Sequence, residues 1–168
     1  MPNAPTVLQV LPSLVTGGVE RGTIEIARAI SDAGGRALVA SAGGKLVAAV
    51  EHAGGQHFSL PLMTKDPLTV WINAGRLASL IRARDVEVVH ARSRAPAWSA
   101  LLACRRTGAR FVTTYHGAYS EDVPFKRRYN SVMAKGERVI AISRFIAGLI
   151  VTRHKVDPAR IPIIPRGV

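Results

Sequence analysis

The sequence predicts an α/β domain of three layers, with a mostly parallel sheet of about seven strands flanked by helices on both faces. Three observations predict it. Short β-branched runs alternate with helix-length periodic segments along the whole chain, the pattern of parallel strands joined by helical crossovers. Glycine pairs stand where the first two helices should stop, since the residue just past a helix C-terminus favours the left-handed region. No internal repeat or low-complexity linker breaks the alternation, and 168 residues with 48% hydrophobic content suffice for one core.

Taken in order, VLQVL (7–11) is the first strand, and the helix over 19–33 closes at Gly34-Gly35. ALVAS (37–41) is the second strand, and its helix over 45–53 closes at Gly54-Gly55. HFSL (57–60), VEVVHA (86–91), RFVTTY (110–115), RVIAIS (138–143) and IPII (161–164) complete the sheet, with helices over 67–84, 94–106, 124–135 and 144–154 between them. In open sheets of this kind, ligands bind outside the carboxyl ends of the strands. Function is therefore sought in the residues that follow strands: Leu14–Arg21, Ser41–Gly44, Ala91–Arg94, His116–Tyr119 and Ser143-Arg144.

Charge is distributed unevenly. Residues 1–75 hold five basic and five acidic side chains, so the whole net charge of +12 lies in the second half. Such a field favours an anionic partner, whether phospholipid, phosphorylated glycan or nucleic acid. An Arg-rich solvated surface is the plainer reading. The longest apolar stretch, 139–151, contains Arg144 and falls short of the ~18 uninterrupted apolar residues of a membrane span. MPNAPTVLQVLPSL has no basic segment before its apolar run, so it reads as a first strand of a cytoplasmic protein and not as a secretory signal. The lone Cys104 excludes an internal disulfide and a multi-cysteine zinc site, and reads as core filling.

The glycine loop VTGGVERG (15–22) opens a helix, but it is not a dinucleotide fingerprint: the G-x-G-x-x-G spacing fails, and the second strand ends in Ala-Ser-Ala without an acidic residue. No G-K-[ST] follows, so it is not an ATPase loop either. What remains is the Gly17-Gly18 pair at a helix N-terminus, whose free N–H groups and positive dipole end can hold a phosphate or a sugar oxygen, or simply a tight turn. Arg92, Ser93 and Arg94 form a basic loop after the fourth strand, suited to a phosphate or carboxylate on an acceptor. Ser143 precedes the last long helix as an N-cap, with Arg144 beside it. His90, inside an apolar strand, reads as a structural histidine. In 123–138, Phe125, Tyr129, Val132 and Met133 form one helical stripe, flanked by Lys126, Arg127 and Arg128. That mix suits a helix lying on an anionic bilayer, and equally a helix packed on the sheet.

Five segments in order give a family resemblance. VLPSLVTGGVERGTIEIARAISDAG, VEVVHARS (86–93), TTYHG (113–117), VIAISRFI (139–146) and IPIIPRGV (161–168) resemble the landmarks of the glycosyltransferase group 1 family, also called family 4. The resemblance implies the GT-B architecture, in which two Rossmann-like domains face each other across a cleft. It further implies that residues 1–168 are the N-terminal, acceptor-binding domain, and that a C-terminal domain outside this chain binds most of the nucleotide-sugar donor. The reaction expected of the whole enzyme is retaining, metal-independent glycosyl transfer to an acceptor hydroxyl, in the synthesis of lipopolysaccharide, exopolysaccharide or glycolipid. The isolated domain is expected to be inactive.

By the same resemblance, Gly17 and Gly18 lie near the donor phosphates, and His116 sits beside the reacting sugar as the catalytic candidate. Gly117 allows a tight turn there, and it joins Arg92, Ser93, Arg94, Ser143 and Arg144 as acceptor-binding candidates. No metal and no cofactor are expected, the nucleotide sugar serving as co-substrate. The partners implied are that donor, a glycan or lipid-linked acceptor, and an anionic membrane surface on the cytoplasmic face of the inner membrane. Nucleic acid is not expected, since no RNA or DNA motif interleaves aromatics with the basic residues. An epimerase-like protein of the same fold and a non-catalytic module for anionic lipid or nucleic acid are the alternatives.

Overall fold

Six of the seven expected strands, and helices between them, recur in the computed structural model, which describes residues 4–166. In chain order the elements are β1 (Thr6–Val10), α1 (Gly18–Asp32), β2 (Arg36–Ser41), α2 (Val47–His52), β3 (Gly55–Ser59) and α3 (Pro67–Arg84). Then follow β4 (Val88–Ala91), α4 (Arg94–Thr107), β5 (Arg110–Tyr115), α5 (Pro124–Asn130), β6 (Arg138–Ala141) and α6 (Arg144–His154). The six strands pair in the order β3-β2-β1-β4-β5-β6, all parallel. This is the doubly wound order, and its direction reverses between β1 and β4.

The register decides what shares a face. Leu8 pairs with Leu38 and Val89, and Gln9 with Val39 and His90. Because side chains alternate along a strand, Leu8, Val10, Leu38 and Ala40 enter the large core with Leu77, Ala78 and Ile81 of α3 and Ala97, Ala100 and Leu101 of α4. Val39 and Ala37 face the other way, against Val50 of α2 and Ala27 of α1. Burial of the inner strands on both faces explains their nearly unbroken apolar runs.

Local signals set the helix ends. Asp66 accepts from the Thr69 N–H at 2.8 Å at the start of α3, with Pro67 next to it, where its missing donor does no harm. Ser143 caps α6 by accepting from the Ile146 N–H at 3.2 Å. Gly34 and Gly54 take φ of 80° and 85° just after α1 and α2, as the glycine pairs implied.

Two expectations change. The seventh strand reduces to a single parallel bridge between Ala141 and Ile163, framed by the Ala141 N–H donating to Pro162 O at 3.0 Å and the Ile164 N–H donating to Ala141 O at 2.9 Å. Pro162 and Pro165 have no N–H to extend the ladder. The Gly167 and Val168 end of IPIIPRGV lies outside the described residues. The helix expected over 124–135 also stops early, at Asn130, and continues as a 3₁₀ turn over Ser131–Ala134. The tighter winding breaks the stripe: Val132 and Met133 are fully buried, while Phe125 is 77% exposed.

Leu77, fully buried between α3 and the sheet, is expected to cost about 2–5 kcal/mol of stability as Leu77→Ala, read as a lowered urea midpoint with an unchanged m-value. Burial pushes the Cys104 thiol up to about 12, so it should react with a disulfide reagent at pH 8 only as fast as the chain unfolds.

Candidate functional site

The reversal between β1 and β4 leaves the face shared by Gln9, His90, Thr114 and Ile140 partly open beyond α1. A cleft of about 300 Å³ lies there, lined by Gly22 and Glu25 from α1, His90 of β4 with Arg92 just past it, and Thr114 of β5 with His116 just past it. Ile140, Ile142 and the segment Ile164–Arg166 close its far side. The two-residue period puts 90 and 92, 114 and 116, and 140 and 142 on one face; His90 pairs with Val112 and Thr114 with Ile140, so these residues step diagonally across the sheet.

Arg92 is the unusual member. It is only 4% exposed, has no ion-pair partner among the described residues, and its Nε has no hydrogen bond. Its one recorded side-chain contact is long, Nη1 donating to Gln9 Oε1 at 3.4 Å. Gln9 is itself held by Nε2 donating to the Thr23 carbonyl of α1 at 3.0 Å. Burial and the neighbouring Arg166 guanidinium push Arg92 down to about 10, while Glu25 and Glu20 pull it back. A guanidinium remains charged at that value, so a buried cation with no direct ion pair among the described residues faces the cleft.

Glycine makes this arrangement fit. A Cβ on Gly22 would stand 2.7 Å from Arg92 Nη2, and one on Gly18 would run into the Arg166 guanidinium. Gly18 and Gly22 are four residues apart on α1, hence on the same side of the helix. Gly17, the N-cap of α1, has φ 138°, a backbone region that only glycine enters readily. Two guanidinium groups therefore meet the first turns of α1, where free N–H groups already favour an anion.

His116 ends β5 with neither ring nitrogen hydrogen-bonded, although both are buried. Burial, then Arg92 and Arg166, hold its imidazole down to about 3. It is neutral at pH 7, with one donor and one acceptor unassigned. His90 is likewise pushed down to about 3 by burial, then by Arg92 and His116, but its Nε2 meets Thr114 Oγ1 at 2.7 Å. It is the satisfied structural histidine that its apolar strand implied, and it also floors the cleft.

The basic loop 92–94 does not converge. Arg94 begins α4 and turns the other way, donating to Asn130 Oδ1 at 2.7 Å and lying 4.4 Å over the Tyr119 ring. Ser93 stands at the α4 N-cap without a side-chain cap bond, Ser143 spends its hydroxyl capping α6, and Arg144 is exposed. Gly117 has no positive φ, and a Cβ there would meet open space, so the turn it was expected to permit does not require glycine. Of the three surface cations, Lys126 pairs with Asp122 at 2.8 Å. Arg127 donates to the Arg153 carbonyl at 2.5 Å and approaches Glu121 at 4.0 Å. Arg128 is exposed.

Sequence reasoning missed Gly22, Glu25 and Arg166 as site residues. Their signal was spacing: Gly18, Gly22 and Glu25 fall on one helical stripe, and Arg166 lies three residues past the bridge to β6. Among the described residues, no group of three His, Cys, Asp or Glu could hold a metal ion, and no helix is long and apolar enough to cross a membrane.

Comparison with known proteins follows from this geometry. The family described as Glycosyltransferase Family 4 matches residues 16–168. A glycosyltransferase from Rickettsia africae ESF-5 is 43% identical and superposes with a TM-score of 0.86, over 99% of this chain and 44% of that one. HepE from Anabaena in complex with UDP and glucose is 17% identical with a TM-score of 0.76, over 98% of this chain and 45% of its own. A UDP-N-acetylglucosamine 2-epimerase is 12% identical with a TM-score of 0.65, over 95% and 47%. The last two are likenesses of fold. The chain spans less than half the length of each of these proteins. None of the curated proteins compared with it matches.

Both His90 and His116 have depressed pKa values in the folded chain. Their contribution to stability is therefore complete above the ordinary value of about 6.5 and lost as pH falls from there toward about 3. The urea midpoint should decline over that interval, and His116→Gln should flatten part of the decline.

Proposed function

The chain belongs to glycosyltransferase family 4, and on that premise we propose that it is the N-terminal, acceptor-side half of a GT-B enzyme that moves a sugar from a nucleotide-sugar donor to an acceptor hydroxyl. The observation that carries the reading is the buried Arg92, without a direct ion pair among the described residues, against Gly22 of α1, with Arg166 against Gly18 beside it. A diphosphate supplies the missing counter-charge. HepE, a fold neighbour, holds UDP and glucose, which supports a nucleotide sugar as the anion that reaches this cleft.

In this reading the donor diphosphate lies against the N–H groups of Gly17 and Gly18, and the guanidinium groups of Arg92 and Arg166 stabilise the charge that grows as the glycosidic bond breaks. Such cations and a helix N-terminus do the work a metal does in other transferases, so the reaction is metal-independent. Neutral His116 hydrogen-bonds a hydroxyl of the sugar being transferred and orients it, without serving as an acid at pH 7. The leaving phosphate takes the acceptor proton on the same face, which gives retention of configuration. A second domain closes the cleft, excludes water and supplies most of the nucleoside contacts, so the isolated chain binds the diphosphate and does not turn over. We place the enzyme in bacterial cell-surface glycan or glycolipid synthesis, in the cytoplasm with a peripheral attachment to the inner membrane. An epimerase of the same fold would return the nucleotide sugar isomerised, or hydrolyse it, and in neither case glycosylate an acceptor.

Calorimetry with inorganic pyrophosphate on the chain tests the anion site: Arg92→Gln should weaken binding by about tenfold or more, the loss of a charge-assisted bond. In the full-length protein, His116→Ala should lower kcat about 10- to 100-fold, the range for one hydrogen bond made to the reacting group. Pyrophosphate that binds Arg92→Gln as well as the parent chain would overturn the assignment.

A further inference from the structure

A second pair of hollows lies away from the arginine cleft, between the starts of α3 and α4 and the short helix α5. One, of about 580 Å³, is lined by Lys65, Arg94, Ser120 and Lys126. The other, of about 380 Å³, is lined by Val70, Trp71, Ala95, Trp98 and Leu102. Lys65, Phe125 and Tyr129 belong to both, so a cationic mouth runs directly into an aromatic slot.

Arg94 donates to Asn130 Oδ1 and lies over the Tyr119 ring, but no carboxylate among the described residues neutralises it. Lys65 and Arg94 have no ion-pair partner among the described residues, whereas Lys126 is engaged by Asp122. Lys65 Nζ and the Arg94 guanidinium stand 5.6 and 5.7 Å from the centre of one ring, that of Tyr129. Both cations are thereby held near one ring, and an anion bound beside it would be attracted to both. The Tyr129 hydroxyl is buried without a hydrogen-bond partner, a donor left for a ligand. In the slot, Phe125 is 77% exposed and Trp71 60%, and apolar surface gathered in a hollow gains most from an apolar guest.

We propose that this two-part hollow binds one amphiphile, a phosphate ester of a long prenyl chain. The phosphate sits between Lys65 and Arg94, and the chain lies among Trp71, Trp98 and Phe125. A free sugar phosphate has no use for the aromatic slot, and a neutral lipid has none for the paired cations. The binding stands on the hollow alone and goes beyond the transferase reading.

Trp71 and Trp98 are the two tryptophans of the chain, so its intrinsic emission reports the slot. Titration with farnesyl phosphate, below the concentration at which it forms micelles, should give a saturable change in emission. Inorganic phosphate should give none, and farnesol should bind at least tenfold more weakly, the loss of one charge-paired phosphate. Lys65→Glu should weaken farnesyl phosphate about tenfold and leave farnesol unaffected, while Phe125→Ser should weaken both. Both side chains are exposed, so the variants should keep the parent circular dichroism, and equilibrium dialysis of labelled farnesyl phosphate gives a second reading. Equal affinity for farnesol and its phosphate, indifference to Lys65→Glu, or binding only to phosphatidylglycerol vesicles and not to the single amphiphile would each overturn the proposal. Pyrophosphate binding at Arg92 is measured separately, so the two readings fail independently.

Discussion

The position of β1 governs the rest of the molecule. It pairs in parallel with β2 on one side and β4 on the other, and its side chains are divided strictly between two cores. Leu8 and Val10 belong to the α3–α4 side. Gln9, fully buried, points to α1, where a polar side chain is tolerated because it bonds the Thr23 carbonyl. The same amide meets Arg92. One buried glutamine therefore ties the first helix, the central strand and the cationic end of β4 into one unit, at the point where the sheet changes direction.

That geometry explains how a charge can be stored without a partner. A guanidinium taken out of water is unfavourable unless paired, and here a long hydrogen bond to Gln9 and the charges of Glu20 and Glu25, none in a direct ion pair with it among the described residues, offset it. The stability of the surrounding parallel sheet maintains the arrangement. Binding sites built this way have their electrostatics set in advance, so the anion meets dipoles and charges that need little reorganisation. His116 follows the same logic: a neutral imidazole beside two cations remains an uncharged hydrogen-bonding group across the physiological range.

The two arginines of the basic loop illustrate how a change of period divides function. Arg92 still obeys the two-residue alternation of β4, so it joins His90 on the α1 face. Arg94 obeys the helical period of α4 and is carried toward Tyr119 and Tyr129. Residues two apart in sequence thus line separate hollows, one beside α1 and one between α3, α4 and α5. A loop read as a single basic patch could not reveal this, because the boundary between the two periods lies inside it.

The alternation of apolar runs, the glycine stops and the ordered landmarks by themselves determined the α/β class, six of the strands, the helices between them, the family and the place of His116 at a strand end. Those features are local, since side-chain period, backbone conformation and turn chemistry are properties of a few adjacent residues. The end of the sheet was less legible: two prolines cut IPII to one bridge, and a 3₁₀ turn redirected Val132 and Met133 into the core. Only the tertiary structure brought Arg166 to Gly18, set Gly22 against Arg92, and placed Lys65 and Arg94 around one ring. These are meetings between segments tens of residues apart, decided by strand order and register, and no window of sequence contains both partners.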